Sequence, residues 1–122
     1  VDKKILIVDD SASLRQVVSI ALEGAGYQTI QACDGSDALT KLDGSKIHLV
    51  ISDVNMPNMD GITFVRELKK KPAYKFTPVI MLTTESQAEK KAEGQAAGAK
   101  AWVVKPFQPQ QMLAAVSKLV MP

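Results

Sequence analysis

One cysteine, one histidine and no long apolar run narrow this 122-residue chain before any motif is read. With Cys33 alone, no internal disulfide can form. A lone free thiol is expected to serve as a small buried hydrophobe. It also fits a reducing compartment, so a cytoplasmic location is expected. The only histidine, His48, stands just before an apolar run and reads as a loop or strand-edge residue. No apolar stretch approaches the roughly 20 residues that a membrane helix needs. Val1-Asp2-Lys3-Lys4 has no signal-peptide pattern, and membrane insertion is not expected. Charge of one sign is also scarce. The net charge is +2, too little to argue for nucleic acid, and Lys69-Lys70-Lys71 reads as a solvated helix end.

What is present is the composition of one ordinary domain. Hydrophobic residues make up 46% and charged residues 23%, so a packed core is expected rather than disorder. Short, β-branched apolar runs recur: Ile5-Leu6-Ile7-Val8, Thr29-Ile30 with Ala32-Cys33, Leu49-Val50-Ile51, Val79-Ile80-Met81-Leu82 and Ala101-Trp102-Val103-Val104. They are mostly continuous rather than alternating, as strands are when both sheet faces are covered. Helical patterns lie between and after them. Leu14, Val17, Val18, Ala21 and Leu22 repeat at helical spacing, with Ser11 placed to cap and Gly26 to close. Ser36–Leu42 predicts a short second helix ending near Gly44. Ile62, Val65, Arg66 and Leu68 predict a third, before Pro72. Ser86–Ala97 predicts a fourth, closed by Gly98. Met112, Leu113, Val116 and Leu119 predict a fifth, opened by Pro109. Five strand–helix units in alternation imply a flavodoxin-like (βα)5 sandwich with parallel strand order 2-1-3-4-5. A single domain over residues 1–122 is expected.

In such sheets, function gathers beyond the carboxyl ends of the strands, at the switch point between strands 1 and 3. Strand 1 ends in Asp9-Asp10 and strand 3 in Asp53. Singly, Asp10 would pass for a helix cap and Asp53 for a turn residue. Together they bring three carboxylates to one place, where a proton or cation must offset their repulsion. Hard oxygens of this kind suit Mg2+. Strand 4 ends in Thr83-Thr84 and strand 5 in Lys105-Pro106. A hydroxyl and an ammonium there suit the oxygens of a phosphoryl group, and a carboxylate is a competent nucleophile for one. Singly, Thr83 would pass for a helix cap and Lys105 for a surface charge.

Four segments in order resemble the receiver domain of two-component response regulators. They are Ile5-Leu6-Ile7-Val8-Asp9-Asp10, Asp53-Val54-Asn55-Met56-Pro57 with Asp60-Gly61, Thr83, and Lys105-Pro106-Phe107. Within that family the chain is most similar to single-domain, CheY-like chemotaxis regulators. The resemblance implies that Asp53 takes a phosphoryl group from a histidine kinase or a small phosphodonor. It implies that Asp10, Asp53 and the Asn55 carbonyl ligate Mg2+, with Asp9 acting through water. Thr83 and Lys105 would contact the phosphoryl oxygens, and the Lys105–Pro106 bond would be cis. Asn55 and Glu85, flanking the site, would tune signal lifetime, with phosphate expected to be lost spontaneously. Phosphorylation would be self-catalysed and would switch partner binding on the helix 4/strand 5/helix 5 face, so the chain would be a switch rather than an enzyme. A flagellar motor switch protein and a phosphatase are the partners so implied, and a monomer is expected. The fifth helix ends near Val120 and no linker follows, so a stand-alone regulator is expected over a receiver excised from a larger protein.

Two positions depart from the family pattern. The switch aromatic is Trp102, where tyrosine or phenylalanine is usual. The fourth helix carries Lys90, Lys91, Glu93 and Gly94 at its centre, and is expected to be comparatively mobile. Two other classes use the same fold logic. An aspartyl phosphatase of the haloacid dehalogenase type would carry an Asp-x-Asp pair, not adjacent Asp9-Asp10, and a cap domain for which there is no room. A flavin carrier would need a glycine-rich phosphate cradle, which Asp9 to Ser13 lack.

Overall fold

The computed structural model describes residues 3–56, 58–83 and 90–120. Its elements are β1 (Lys4–Val8), α1 (Ala12–Gly24), β2 (Gln28–Ala32), α2 (Gly35–Lys41), β3 (Leu49–Asp53), α3 (Gly61–Lys70), β4 (Val79–Thr83), α4 (Lys90–Ala97), β5 (Ala101–Val104) and α5 (Pro109–Leu119). The strands form one parallel sheet in the order β2-β1-β3-β4-β5. This is the flavodoxin-like arrangement expected from the alternation of units.

Successive strand side chains point to opposite faces, and each face builds its own core. Leu6, Val8, Val50, Val79 and Met81 pack with Phe64, Val65 and Leu68 of α3. Ile5, Ile7, Leu49, Ile51, Ile80 and Leu82 pack with Val18 and Leu22 of α1 and Met112 and Val116 of α5. Both faces are covered, so the strands need no polar alternation.

The helix ends follow local chemistry. Ser11 caps α1 by accepting from the Leu14 amide at 3.2 Å. Asp60 caps α3 through Thr63 N at 2.8 Å. Gly98, at φ +121°, closes α4, its amide bonded to Gly94 O and Gln95 O. Gly61 must be glycine: an added Cβ would lie 1.9 Å from Asp53 O.

Four expectations need correction. Cys33 is exposed, not buried. The edge strand β2 ends one residue earlier, at Ala32, and Cys33 lies in the bend before α2, its amide bonded to Asp37 Oδ2. Val17, counted in the apolar stripe of α1, is 51% exposed. The α2 helix starts at Gly35 because Asp34, overlooked as a cap, accepts from Asp37 N at 2.7 Å. A 3-10 turn over Pro72–Tyr74 also went unforeseen; it buries Tyr74, whose hydroxyl donates to Ser45 O and accepts from Gly44 N. Of the predicted fourth helix, 86–89 lie outside the described residues, as does Glu85. His48 sits at the strand edge, its Nδ1 accepting from Lys4 N at 3.0 Å.

Candidate functional site at the carboxyl ends of the strands

The register of β1 on β3 pairs Val8 with Ser52, so Asp9 and Asp53 emerge side by side at the next step. Both are buried, and Asp10 beside them is exposed. One ligand oxygen from each of Asp9, Asp10 and Asp53 falls within 4.8 Å of the others. Lys105, carried past the end of β5, reaches over this cluster. Its Nζ lies 3.2 Å from Asp9 Oδ2 and 3.1 Å from Asp53 Oδ1. Thr83 ends β4, buried, and its carbonyl accepts from the Lys105 amide at 2.6 Å. The sheet thus gathers five of the residues singled out from sequence around one point. The Lys105–Pro106 bond is cis.

The electrostatics are unbalanced. Burial pushes the carboxyls of Asp53 and Asp9 above the ordinary carboxylate value. For Asp53 the neighbouring Asp9 charge pushes the same way, and Lys105 only partly opposes it. For Asp9, the Ser11 amide at 2.9 Å and then Lys105 oppose burial without overcoming it. Burial alone would depress Lys105, but Asp53 and Asp9 outweigh it and hold the ammonium above its usual value. Among the described residues, Lys105 is the only cation in ion-pair contact with the cluster. Three ionised carboxylates against one ammonium leave an excess negative charge that a divalent cation would cancel. Hard oxygens, clustered and under-compensated, fit Mg2+.

Asn55 follows Asp53 in the β3–α3 loop, and its backbone N–H favours the ionised Asp53 carboxylate, the weakest of the influences on that group. That loop is closed at its base by Gly61 N donating to Val54 O at 2.8 Å. Trp102, on β5 beside Met81 of β4, is half-buried and faces α4. An added Cβ on Gly94 would lie 2.4 Å from Trp102 Cζ2 and Cη2, so the indole rests where helix 4 has no side chain. Its Nε1 is buried and has no hydrogen-bond partner among the described residues. Sequence reasoning did not anticipate the apolar groove beside Lys105, formed by Leu14, Val17, Pro106, Phe107 and Pro109. The exposure of Val17 is the local sign of it, and only the packing of α1 against the β5–α5 loop reveals it.

A parallel five-stranded sandwich with an acid cluster and a lysine at its switch point defines a class of signalling domains. The chain belongs to the response regulator receiver domain family, whose model matches residues 5–117. It is CheY-like: the structure of chemotaxis protein CheY4 of Vibrio cholerae is 48% identical, with a TM-score of 0.92, covering 98% of this chain and 99% of that one. Protein PilG of Pseudomonas aeruginosa is 34% identical over 113 residues, covering 93% of this chain and 84% of PilG. The probable transcriptional regulator ycf27 of Cyanophora paradoxa is 38% identical over 118 residues, which span 97% of this chain and 48% of that protein. The chain spans about half the length of several of the curated relatives it matches. It is thus a receiver domain of two-component signalling.

Proposed function

We propose that the chain is a Mg2+-dependent phosphoryl acceptor of the chemotaxis type, with Asp53 as the acceptor. The carrying observation is the Asp53 carboxylate, buried at the end of β3 and held 3.1 Å from Lys105 Nζ. A carboxylate oxygen of Asp53 attacks the phosphorus of a phosphohistidine. The P–N bond breaks, and the imidazole, carrying a proton on its other ring nitrogen, leaves as the neutral base with the bond's electron pair. Lys105, then in contact with the transferred group, offsets charge on its oxygens, and the Thr83 hydroxyl binds another. Asp9, Asp10, Asp53 and the Asn55 carbonyl would hold the metal, with Asp9 acting through water. When bound, Mg2+ supplies the remaining charge compensation at the phosphoryl oxygens. Asn55 and Glu85 would set how long the phosphoryl group survives.

Phosphorylation then shifts a conformational equilibrium through Thr83 and Trp102. The output face is that of α4, β5 and α5. A groove there is lined by Trp102, Val104, Ala114, Lys118 and Leu119, and β5 is an edge strand. The phosphodonor is a histidine kinase, and the apolar groove of Leu14, Val17 and Phe107 beside Lys105 supports approach by a protein rather than only a small donor. A motor switch component and a phosphatase are the partners that the likeness to CheY4 suggests, for a monomeric cytoplasmic protein whose residues 1–122 form one receiver domain. No described helix is long and apolar enough to cross a membrane.

The test is phosphorylation by acetyl phosphate with Mg2+, read by mass spectrometry. The wild type should gain one phosphoryl group, Asp53→Asn none, and chelation should abolish the gain. Stoichiometric labelling of Asp53→Asn would overturn the assignment. A second reading, a receiver that regulates an attached output domain, draws on the half-length match to ycf27. Capture of a separate partner only in the presence of a beryllofluoride mimic favours the first reading.

A further inference from the structure

The loop that carries Asn55 is tied down from outside the acid cluster. Asp34, at the turn from β2 into α2, is 9% exposed and uses both carboxylate oxygens. Oδ1 accepts from Asp37 N at 2.7 Å, capping α2. Oδ2 accepts from Asn58 Nδ2 at 2.9 Å, across 24 residues of chain. Asn58 is the only non-glycine residue with positive φ among the described residues, at +69°. Asparagine is tolerated in that conformation, and its amide is thereby directed at Asp34. Next to it, Met59 lies against Gly35, where an added Cβ would sit 2.9 Å from the Met59 sulfur. The β3–α3 loop therefore has two fixed points. One is the Gly61 N to Val54 O bond at its base; the other is the Asp34–Asn58 tie at its outer edge. Asn55 lies between Asp53 and that tie.

We propose that Asp34 is a positioning residue for metal binding: by holding Asn58, it fixes the loop whose Asn55 carbonyl would hold the cation. This rests on the Mg2+ reading above. Loss of the tie frees the loop, and the ordering of Asn55 must then be supplied on binding, which weakens affinity. Partners one step removed from a metal typically change affinity by about tenfold or more. Acting through one further bond, Asp34 should change it by about threefold to tenfold.

Two substitutions cut the tie from opposite ends. Asp34→Ser keeps an oxygen to cap α2 but is too short to reach Asn58. Asn58→Gly keeps the left-handed backbone without strain and removes the side chain. Mg2+ is titrated into each protein, and the backbone amide shifts are followed by NMR, which also reports whether the fold is kept. The expected result is the same weakening in both single variants, with movement of the Asn55 amide. The double variant should be no weaker than either single one, since both remove one interaction. Wild-type affinity in both single variants, or full additivity in the double variant, would overturn the role of Asp34. Absence of any Mg2+ titration in the wild type would overturn the metal reading itself and this inference with it.

Discussion

Replacing Asp53 with asparagine is expected to stabilise the metal-free protein at neutral pH, although it removes an ion pair. Asp53 faces Lys105 at 3.1 Å, an attraction of about 5 kcal/mol at an effective dielectric near 20. It also faces Asp9 and Asp10 oxygens within 4.8 Å, each a repulsion of about 3.5 kcal/mol on the same scale. Asp10 is exposed and solvent screens its share, so attraction and repulsion roughly cancel. What is left is the desolvation of a buried carboxylate, which is also the leading cause of its raised pKa. We expect a net gain of about 1–2 kcal/mol from Asp53→Asn, or about 3–10 °C in Tm. The pH dependence follows in sign. Asp53 and Asp9 have folded pKa values above the unfolded value, so the folded chain binds more protons between the two. Stability is therefore fullest below the unfolded value of 3.8 and falls as pH rises through the raised folded values. The advantage of Asp53→Asn should be present at pH 7–8 and fade toward pH 4. Thermal unfolding in EDTA across that range measures it. Added Mg2+ should raise the wild-type Tm and close the gap, because a ligand of the native state stabilises it. An Asp53→Asn protein no more stable than wild type at pH 7.5, or a gap that widens in acid, would refute the electrostatic reasoning.

Lys105→Met should act oppositely. It leaves two buried carboxylates without their ammonium and should lower metal-free stability at pH 7.5 by about 1–3 kcal/mol, with little loss near pH 4; equal losses at both pH values would point to packing instead. Gly94→Ala places a methyl group where the indole lies, 2.4 Å from Cζ2. It should shift Trp102, the only tryptophan, toward solvent, with red-shifted emission and a cost of about 1–3 kcal/mol. Unchanged emission would mean that α4 moves instead. In α4, amide exchange should be faster than in α1, since Gly94 is the one buried residue over positions 92–97 of that helix. Equal protection in the two helices would refute this.

The sheet was legible because the central strands β1, β3 and β4 are apolar on both faces, and the alternation with helical stripes leaves few ways to connect the five. The acid cluster was legible for a related reason. A strand-end residue is placed by the register of its strand, so Asp9, Asp10, Asp53, Thr83 and Lys105 could be brought together from sequence position alone. Side chains whose surroundings come from elsewhere were not legible. Cys33 reads as buried because free thiols usually are, but β2 ends one residue before it and leaves it exposed in the bend. Val17 falls on the stripe of α1 but lies beyond the reach of the sheet. Asp34 is an ordinary cap until Asn58 arrives 24 positions later. Gly94 illustrates the point most directly. In the helix alone it is a defect costing about 1 kcal/mol against alanine. Against β5 it is the seat of the Trp102 ring, and its weakness as a helix former is tied to what the strand presents.

That pairing bears on how a change at Asp53 would reach the α4–β5–α5 face. Trp102 lies on β5 three residues before Lys105, and Thr83 pairs with Val104 on the same strand. A shift of Thr83 toward a transferred phosphoryl group would therefore act on the strand that carries the indole. The buried Nε1, without a partner among the described residues, makes the observed seat less than ideal for tryptophan. The indole can then leave Gly94 more easily than a ring with every polar atom satisfied. If so, beryllofluoride should change Trp102 emission in the wild type and leave it unchanged in Asp53→Asn. A change of equal size in both would disconnect the aromatic from the acceptor and leave α4 to report the state of the site by another path.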